Sequence, residues 1–335
     1  MNYIILLIFF LLSLVLTYGV RQMALKNNII DTPNARSSHS MPTPRGGGLA
    51  IVISFYLLLS LLFVQQALET SVFIGLLGLV SIAIIGFIDD HDHIRARYRL
   101  MVHFAAAAWA CHWLGIIPWA EADNGLLLGL LWVISVLYLV WMLNLYNFMD
   151  GIDGLASIEA ISVLAGAALI LAQNSAAGLD ALPLSLLLAL LAILAGFLVW
   201  NWPPAKIFMG DVGSAFLGIL LAAFSLITAN DGSINFLLWL ILLAVFITDA
   251  SYTLMVRLFR GDKVYEAHRS HSYQILARRF GHKTVTIMVL LINVLWLLPL
   301  ALLAHYYSQW LWMMLFVAYV PLIILARKTG AGLYN

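Results

Sequence analysis

The chain has 335 residues, of which 63% are hydrophobic and 10% charged, and its mean hydropathy is +0.98. Soluble domains carry about 25% charged residues, so this composition excludes an ordinary soluble protein and indicates an integral membrane protein. The single cysteine, Cys111, excludes an intramolecular disulfide and a cysteine-rich metal site. A net charge of +1 gives no indication of a nucleic-acid partner, and we expect none.

Apolar segments that cross a bilayer need about 20 residues. The sequence contains eleven of them, at roughly 2–20, 48–66, 70–88, 100–118, 126–144, 155–172, 183–201, 213–229, 234–252, 284–304 and 310–326. The first is interpreted as a retained helix, because it lacks the basic region and the small-residue cleavage site of a signal peptide. We therefore predict an all-α, polytopic membrane protein of about eleven helices, with residues 1–335 forming a single membrane-embedded domain.

The distribution of basic residues predicts the orientation of the chain. If the N-terminus lies outside, all 17 Lys and Arg residues fall in inside loops or in the C-terminal tail. The charged residues of the outside loops are then all acidic. This bias follows the positive-inside rule and predicts a cytoplasmic C-terminus. The same assignment places five polar motifs on the cytoplasmic face, which indicates one functional site there.

The motif "GFIDDHDHIRARYR" carries Asp89 and Asp90 at the end of the third predicted helix. Adjacent carboxylates repel each other, so a divalent cation or the following arginines would be needed to keep both ionised. The alternative is a solvated helix end with local ion pairs.

The motif "NLYNFMDGIDGLA" follows about twenty apolar residues and places Asn144, Asn147, Asp150 and Asp153 three residues apart. On a helix this spacing forms a ladder along one side. The glycines between them indicate that part of the stretch is unwound, which lipid-embedded backbone tolerates only beside a cavity. The alternative is a plain turn rich in Asp and Gly.

Two further motifs combine glycines with charged residues. In "NWPPAKIFMGDVGS", Asp211 lies at a predicted helix N-terminus, where it could hold Mg²⁺ or simply cap the helix. In "DTPNARSSHSMPTPRGGG", Arg36, His39 and Arg45 precede three glycines, a pattern typical of an ordered loop. An ordinary basic inside loop is the alternative for the second motif.

In "YEAHRSHSYQ", His268 and His271 are three residues apart with Arg269 between them. Imidazole and guanidinium groups together indicate a phosphate-binding patch. A zinc site is the weaker hypothesis, because the other candidate ligands are Asp and Asn, which suit hard ions such as Mg²⁺.

The motifs "NFMDGIDGLA", "FMGDVGS" and "GFIDD" give the chain its family resemblance. It resembles the polyprenyl-phosphate N-acetylhexosamine-1-phosphate transferases, and its helix count suits their WecA-like branch. The resemblance implies transfer of a sugar-1-phosphate from a UDP-N-acetylhexosamine to undecaprenyl phosphate, with release of UMP and with Mg²⁺, or alternatively Mn²⁺, as cofactor. The form "HRSH" together with "HSMPTPRGGG" favours a fucosamine-type sugar for O-antigen or capsule, with GlcNAc as the alternative donor.

Carried over by motif, the resemblance implies the following site. The expected catalytic residues are Asp89, Asp90, Asp150, Asp153 and Asp211, of which Asp211 and Asp150 are the expected metal ligands. The resemblance also implies substrate-binding roles for Arg99, Asn147, Asp249, His268 and His271. The polar motifs themselves add Arg36, His39, Arg45, Asn144, Lys206 and Arg269 as expected substrate-binding residues. The expected location is a bacterial inner membrane, among membrane lipids, and a homodimer is left open.

The chemistry can be reasoned separately from the resemblance. A phosphate monoester has a second pKa of about 6, so a lipid phosphate is mostly dianionic at neutral pH and needs little help from a base. We predict direct attack on the sugar-linked phosphorus, with Asp89 as nucleophile or base in the alternative. A secondary transporter is the competing class, but its acids would lie near the membrane midplane. A catalytically inactive lipid-binding scaffold is the third hypothesis.

Overall fold

A computed structural model describes residues 3–33, 41–92, 94–118, 124–174, 183–263 and 268–333. Within these ranges the chain is helical apart from its loops and one antiparallel pair of two-residue strands, β1 (Ile30–Asp31) and β2 (Thr43–Pro44), which confirms the all-α prediction. The helices are α1 (Tyr3–Lys26), α2 (Gly48–Val64), α3 (Thr70–Leu77), α4 (Val80–His91), α5 (Ala96–Leu114), α6 (Gly125–Met149), α7 (Leu155–Asn174), α8 (Leu184–Asn201), α9 (Asp211–Asn230), α10 (Phe236–Leu242), α11 (Ala244–Phe259), α12 (Ser272–Phe280), α13 (His282–Ile292), α14 (Leu298–Tyr306) and α15 (Leu311–Thr329).

Each of the eleven apolar segments is helical in the structure, and the protein is a multi-pass membrane protein. Eight helices or helix pairs among the described residues are long and apolar enough to cross a bilayer. A ninth candidate is the pair α10 and α11, which is bent by 76°. The remaining two predicted spans fall short: α2 has only 17 residues, and α5 contains Arg97 and Arg99 in its first turn, which lowers its hydropathy.

Helix α9 forms the centre of the bundle, since 94% of its apolar window is buried against protein. It packs against α2, α4 and α6, and small residues allow this close approach. A Cβ at Gly218 would lie 2.6 Å from both the Met142 carbonyl oxygen and the Tyr146 Cβ. The N-terminus of α9 is thereby held beside the C-terminal ends of α4 and α6.

The triple glycine lies against the loop that precedes α9. Phe208 N–H donates to the Pro44 carbonyl at 2.8 Å, and Gly47 N–H donates to the Phe208 carbonyl at 2.9 Å. Gly48 and Gly213 are so close that a Cβ at Gly48 would collide with the Gly213 backbone. Two of the predicted polar motifs are therefore joined through their backbones.

Candidate active site

Asp90 caps the central helix from a neighbouring helix. Its carboxylate accepts the N–H of Asp211 at 3.1 Å and the N–H of Val212 at 3.2 Å, and its side chain is only 3% exposed. These two donors have no partner inside α9, because the first N–H groups of a helix never do. Asp90 thus fixes the end of α4 onto the start of α9.

Two glycines make this approach possible. Gly210 has φ of +75°, and a Cβ there would meet the Asp90 carboxylate itself. A Cβ at Gly86 would lie 2.7 Å from the Asp211 backbone. The glycine of "FMGD" is thus required by the acidic pair 120 residues earlier, a relation that neither motif reveals alone.

Arg99, in the first turn of α5, bridges two carboxylates. Its Nη1 contacts Asp89 Oδ2 at short range and Asp211 Oδ2 at 3.1 Å. The second Asp89 oxygen, Oδ1, accepts the Ile94 N–H at 2.8 Å. Asp89 therefore has both oxygens engaged, and the guanidinium supplies the positive charge that the acidic pair needs.

Arg45 approaches the same corner. Its Nη2 donates to the backbone carbonyl of Asp90, so the arginine of "PRGGG" lies beside the acidic pair. Arg36 and His39, from the same motif, lie outside the described residues.

The motif at the end of α6 completes the cluster. The Asn147 side chain lies beside Asp211, and Asp150 directly follows the last residue of α6. Burial raises the pKa of Asp150 well above its ordinary value, and the nearby carboxylates of Asp211, Asp90 and Asp153 raise it further. If all of its carboxylates were ionised, the cluster would carry more negative charge than Arg45 and Arg99 neutralise, so a bound cation would favour the ionised forms.

The other two members of the predicted ladder have different surroundings. Asn144 donates to the Val140 carbonyl of its own helix at 2.7 Å. Asp153 accepts the Ala205 N–H at 3.0 Å and lies 3.2 Å from His282 Nδ1. Asp153 therefore connects the turn 150–154 with the loop before α9 and with the start of α13.

Asn201 is a site residue that sequence reasoning missed. Its Oδ1 accepts the Gly154 N–H at 3.1 Å and the Ser157 hydroxyl at 3.3 Å, while its Nδ2 donates to the Ile207 carbonyl at 3.0 Å. This one amide therefore connects the turn 150–154 with the loop before α9. The only signal in the sequence is its position at the end of an apolar span.

The histidine motif lies at the N-terminus of α12. Asp249, on α11, accepts the N–H groups of Ser272 at 2.8 Å and Tyr273 at 2.9 Å, and lies 3.4 Å from His271 Nδ1. The rings of His268 and His271 stack with centroids 4.9 Å apart. Asp249, predicted to lie near substrate, thus fastens the histidine motif to the bent span.

His268 is held in its neutral form. Burial first, and then the neighbouring His271 and Arg257, lower its pKa to about 3. Its Nδ1 lies 2.9 Å from the Ser270 hydroxyl. In the structure described, His268 therefore offers hydrogen bonds rather than positive charge.

Tyr273 joins the histidine motif to the carboxylate cluster. Its hydroxyl donates to the Phe148 carbonyl at 2.7 Å, and a Cβ at Gly151 would collide with that hydroxyl. The His271 ring also stacks over Phe148, at 6.4 Å between centroids. Tyr273 was not predicted, since nothing in its local sequence distinguishes it.

Two predicted binding residues lie at the edge of this arrangement. The Lys206 ammonium lies 5.5 Å from the centre of the Trp200 ring, and Lys206 is exposed. The backbone carbonyl of Arg269 accepts from Arg278 at 3.0 Å. Neither of these two contacts involves the carboxylate cluster.

The donor atoms of the carboxylate cluster decide whether it fits a metal ion. No three His, Cys, Asp or Glu side chains within the described ranges are placed so that they alone could hold a metal ion. Mg²⁺ in proteins is commonly bound by one or two carboxylates together with substrate phosphates and water. The carboxylate and amide oxygens of Asp150, Asp211 and Asn147 are donors of the kind that fit such an ion.

Comparison with known proteins matches the chain to one family model and to several related transferases. The model of glycosyl transferase family 4 matches residues 72–229, which include the carboxylate cluster and end before the histidine motif. A probable undecaprenyl-phosphate N-acetylglucosaminyl 1-phosphate transferase of Bacillus subtilis is 28% identical over 334 residues, covering 95% of this chain and 89% of that protein.

A phospho-N-acetylmuramoyl-pentapeptide-transferase of Streptococcus pyogenes serotype M3 is 31% identical over 240 residues, covering 66% of this chain and 68% of that protein. This chain belongs to glycosyl transferase family 4. A second transferase of that name, from Kocuria rhizophila, is 35% identical over 128 residues, 37% of this chain and 32% of that protein. The family 4 protein described here is thus a membrane-bound phosphotransferase of the polyprenyl-phosphate sugar-1-phosphate class.

Proposed function

We propose that the protein transfers an N-acetylhexosamine-1-phosphate from a UDP-sugar to undecaprenyl phosphate and releases UMP. The observation that carries the proposal is the convergence of Asp89, Asp90, Asp150 and Asp211 with Arg99 where α4, α6 and α9 meet. Carboxylates with an arginine suit a metal-assisted reaction between two phosphates. Their place at helix ends, beside lipid-facing helices, supports a lipid acceptor.

The proposed cofactor is Mg²⁺, with Mn²⁺ as the alternative. Asp211 and Asp150 would hold it, and its charge would reduce repulsion between the two phosphates and stabilise the leaving UMP. The surroundings of Asp150 support this, because burial and the nearby carboxylates raise its pKa, and a bound cation would favour the ionised carboxylate that a metal ligand requires.

The proposed reaction needs no covalent enzyme intermediate. An oxygen of the lipid phosphate forms a bond to the sugar-linked phosphorus, while the bond from that phosphorus to the bridging oxygen of UMP breaks. The products are UMP and a lipid diphosphate sugar. Arg45 and Arg99 are the described cations beside the acidic pair, and their proposed role is to orient the incoming phosphates.

The contacts of Asp89 support a positioning role for this residue rather than nucleophilic attack. One oxygen accepts the Ile94 N–H and the other contacts Arg99. A nucleophilic carboxylate would have to give up one of these partners. Trapping of a phosphoryl-Asp89 species would contradict direct transfer.

The proposal extends to the donor sugar, the glycan that is made and the membrane in which the protein lies. The "HRSH" form supports an N-acetylfucosamine-type donor, while the name of the Bacillus subtilis relative supports a GlcNAc donor. We assign the product to O-antigen or another cell-envelope polysaccharide. The basic residues in the predicted inside loops support a bacterial inner-membrane protein with its site facing the cytoplasm.

The test is UMP release by the purified protein with Mg²⁺, undecaprenyl phosphate and a panel of UDP-N-acetylhexosamines. Release with one donor is expected, and it would identify the sugar. Asp211→Asn should abolish release, whereas Glu69→Gln, an exposed acid remote from the cluster, should not change it. No release with any donor, from protein shown to be folded, would contradict the proposal.

A further inference from the structure

Residues 329–333, here called the return segment, begin at the last residue of α15 and fold back onto the histidine motif. Gly330 caps α15, and its φ of +76° allows a left-handed turn. The Ala331 N–H closes that turn on the Ala326 carbonyl at 3.1 Å. The turn directs the next residues away from the axis of α15. Ala331 is 1% exposed, so the segment is packed rather than loose.

The return segment contacts the histidine motif on both sides of His271. The Gly332 N–H donates to the Ser270 carbonyl at 2.8 Å, and the Thr329 hydroxyl donates to the Ser272 hydroxyl at 3.0 Å. Ser270 is fully buried and His271 is 2% exposed. Residues 268–271 belong to no helix or strand, so these bonds contribute directly to their order.

Arg260, the residue at which α11 ends, binds the return segment from the other side. Its Nη1 donates to the carbonyls of Gly332 and Leu333, both at 2.9 Å. Hydrogen bonds from a charged donor are stronger than neutral ones. The segment therefore ties the end of α11 to the histidine motif, while Asp249 ties the same two elements about three helical turns earlier.

Gly332 leaves no room for a side chain. Its φ is +78°, and a Cβ there would lie 2.8 Å from both the Thr253 carbonyl oxygen and the Val256 Cβ. Real Cβ atoms do not approach other atoms so closely, so any substitution must move the segment away from α11.

We propose that the return segment is a positioning device for the histidine motif. It holds Ser270 and Ser272 so that His271 is presented beside Asp249 before the nucleotide-sugar arrives. An ordered loop loses less conformational entropy on binding a substrate than a loose one. The inference rests on the proposed function, because it assumes that the histidine motif contacts the donor.

The test compares Gly332→Ala with Gly261→Ala in the purified full-length protein. Gly261 also has φ of +78°, but no atom lies within 4 Å of a Cβ built there, so this control carries the backbone strain without the collision. Hydrogen exchange of the peptide covering 268–274 measures the order of the motif, and UMP release measures kcat and KM. Arg260→Gln, at a partly exposed side chain, provides a second variant should Gly332→Ala fail to fold.

Both Gly332→Ala and Arg260→Gln should speed hydrogen exchange in peptide 268–274. They should also raise the donor KM about tenfold with kcat little changed, because a tenfold loss of affinity corresponds to about 1.4 kcal/mol of lost preorganisation. Gly261→Ala should do neither. Unchanged exchange in both variants would overturn the proposed contact. Faster exchange with an unchanged donor KM would overturn its role in donor binding. If the wild type itself released no UMP, the proposed function would fail, and the exchange measurement alone would decide on the positioning device.

Discussion

At the scale of single residues, Arg99 illustrates how the site handles its charge. The sequence left two sources of positive charge for the acidic pair, a divalent ion or the arginines that follow. The structure places one of those arginines between Asp89 and Asp211. Arg97, two residues earlier, instead lies over the Tyr98 ring, 4.7 Å from its centre. Two arginines with the same local pattern therefore have different roles.

Arg99→Gln is expected to lower kcat/KM by roughly 100-fold, the magnitude seen when one charged or hydrogen-bonding group is removed from a polar active site. Arg99→Lys should recover only part of this loss, since a single ammonium cannot reproduce the guanidinium fork. UMP release measures the effect. Arg97→Gln is the matched control, and an equal loss there would indicate a general effect of charge.

Gly210→Ala is expected to abolish activity, because the added Cβ would collide with the Asp90 carboxylate and separate α4 from α9. Gly232→Ala is the control: Gly232 has φ of +78° and no atom within 4 Å of a built Cβ. UMP release and thermal unfolding of both variants distinguish the two effects. Equal behaviour of the variants would show that backbone strain alone is responsible.

The lowered pKa of His268 predicts acid sensitivity of the fold. The unfolded chain binds a proton at this histidine below a pH of about 6.5, while the folded chain does so only near a pKa of about 3. The stability that the neutral form contributes is therefore lost as pH falls between these two values. His268→Gln should reduce the drop in Tm between pH 7 and pH 4.5. An unchanged drop would show that His268 contributes nothing measurable to it.

At the scale of elements, the loops around the site are held by a few buried amides and carboxylates. Asn201, at the end of α8, bonds to the turn 150–154 and to the loop before α9 at once. Asp153 bonds to the latter loop and to α13. The helices thus set the distance between motifs, and these side chains set the orientation of the loops.

Asn201→Ala should destabilise the protein by about 1–3 kcal/mol, because the Gly154 N–H and the Ile207 carbonyl would lose their partner in a buried place. Thermal unfolding in detergent would measure the loss. Asn201→Asp keeps the acceptor for Gly154 and loses the donor to Ile207, so an intermediate Tm is expected. A Tm for the Ala variant equal to the wild type would contradict this role.

The apolar helices could be predicted from the sequence, whereas the bend between α10 and α11, the helix α12 and the strand pair could not. Hydropathy alone found all eleven helical segments, because lipid requires long apolar stretches. It did not predict the 76° bend between α10 and α11 or the helix α12, whose amphipathic sequence is too polar to span. It also missed the strand pair that aligns the triple glycine, since two-residue strands carry no periodic signal.

The site was predictable in its acids and not in its connections. The sequence singled out four acids because placing a charged side chain beside an apolar span costs free energy. They are Asp89, Asp90, Asp150 and Asp211. The relations between them depend on contacts across more than 100 residues, such as that from Asp90 to the N-terminus of α9. Asn201 and Tyr273 belong to common residue types, so only the fold reveals what they hold together.

At the scale of the whole molecule, the polar motifs occupy one end of a bundle built around α9. The carboxylate cluster and the histidine motif meet through Tyr273 and Phe148, so the two halves of the site form one surface. The family match ends at residue 229, so it covers the carboxylate cluster but not the histidine motif. Differences in donor between relatives are therefore expected to arise from residues beyond it, in α11, α12 and the loop between them.

The burial of α9 has a consequence for how such proteins diverge. Only 17% of the apolar window of α1 and 22% of that of the last span, which contains α15, is covered by protein, against 94% for α9. Lipid accepts almost any apolar side chain, whereas a packed interior rejects changes of a single methylene. Over evolutionary time, orthologous chains should therefore drift freely along the faces of α1 and α15 that contact lipid. They should keep the sizes of the α9 side chains almost unchanged, even where no residue of α9 touches a substrate.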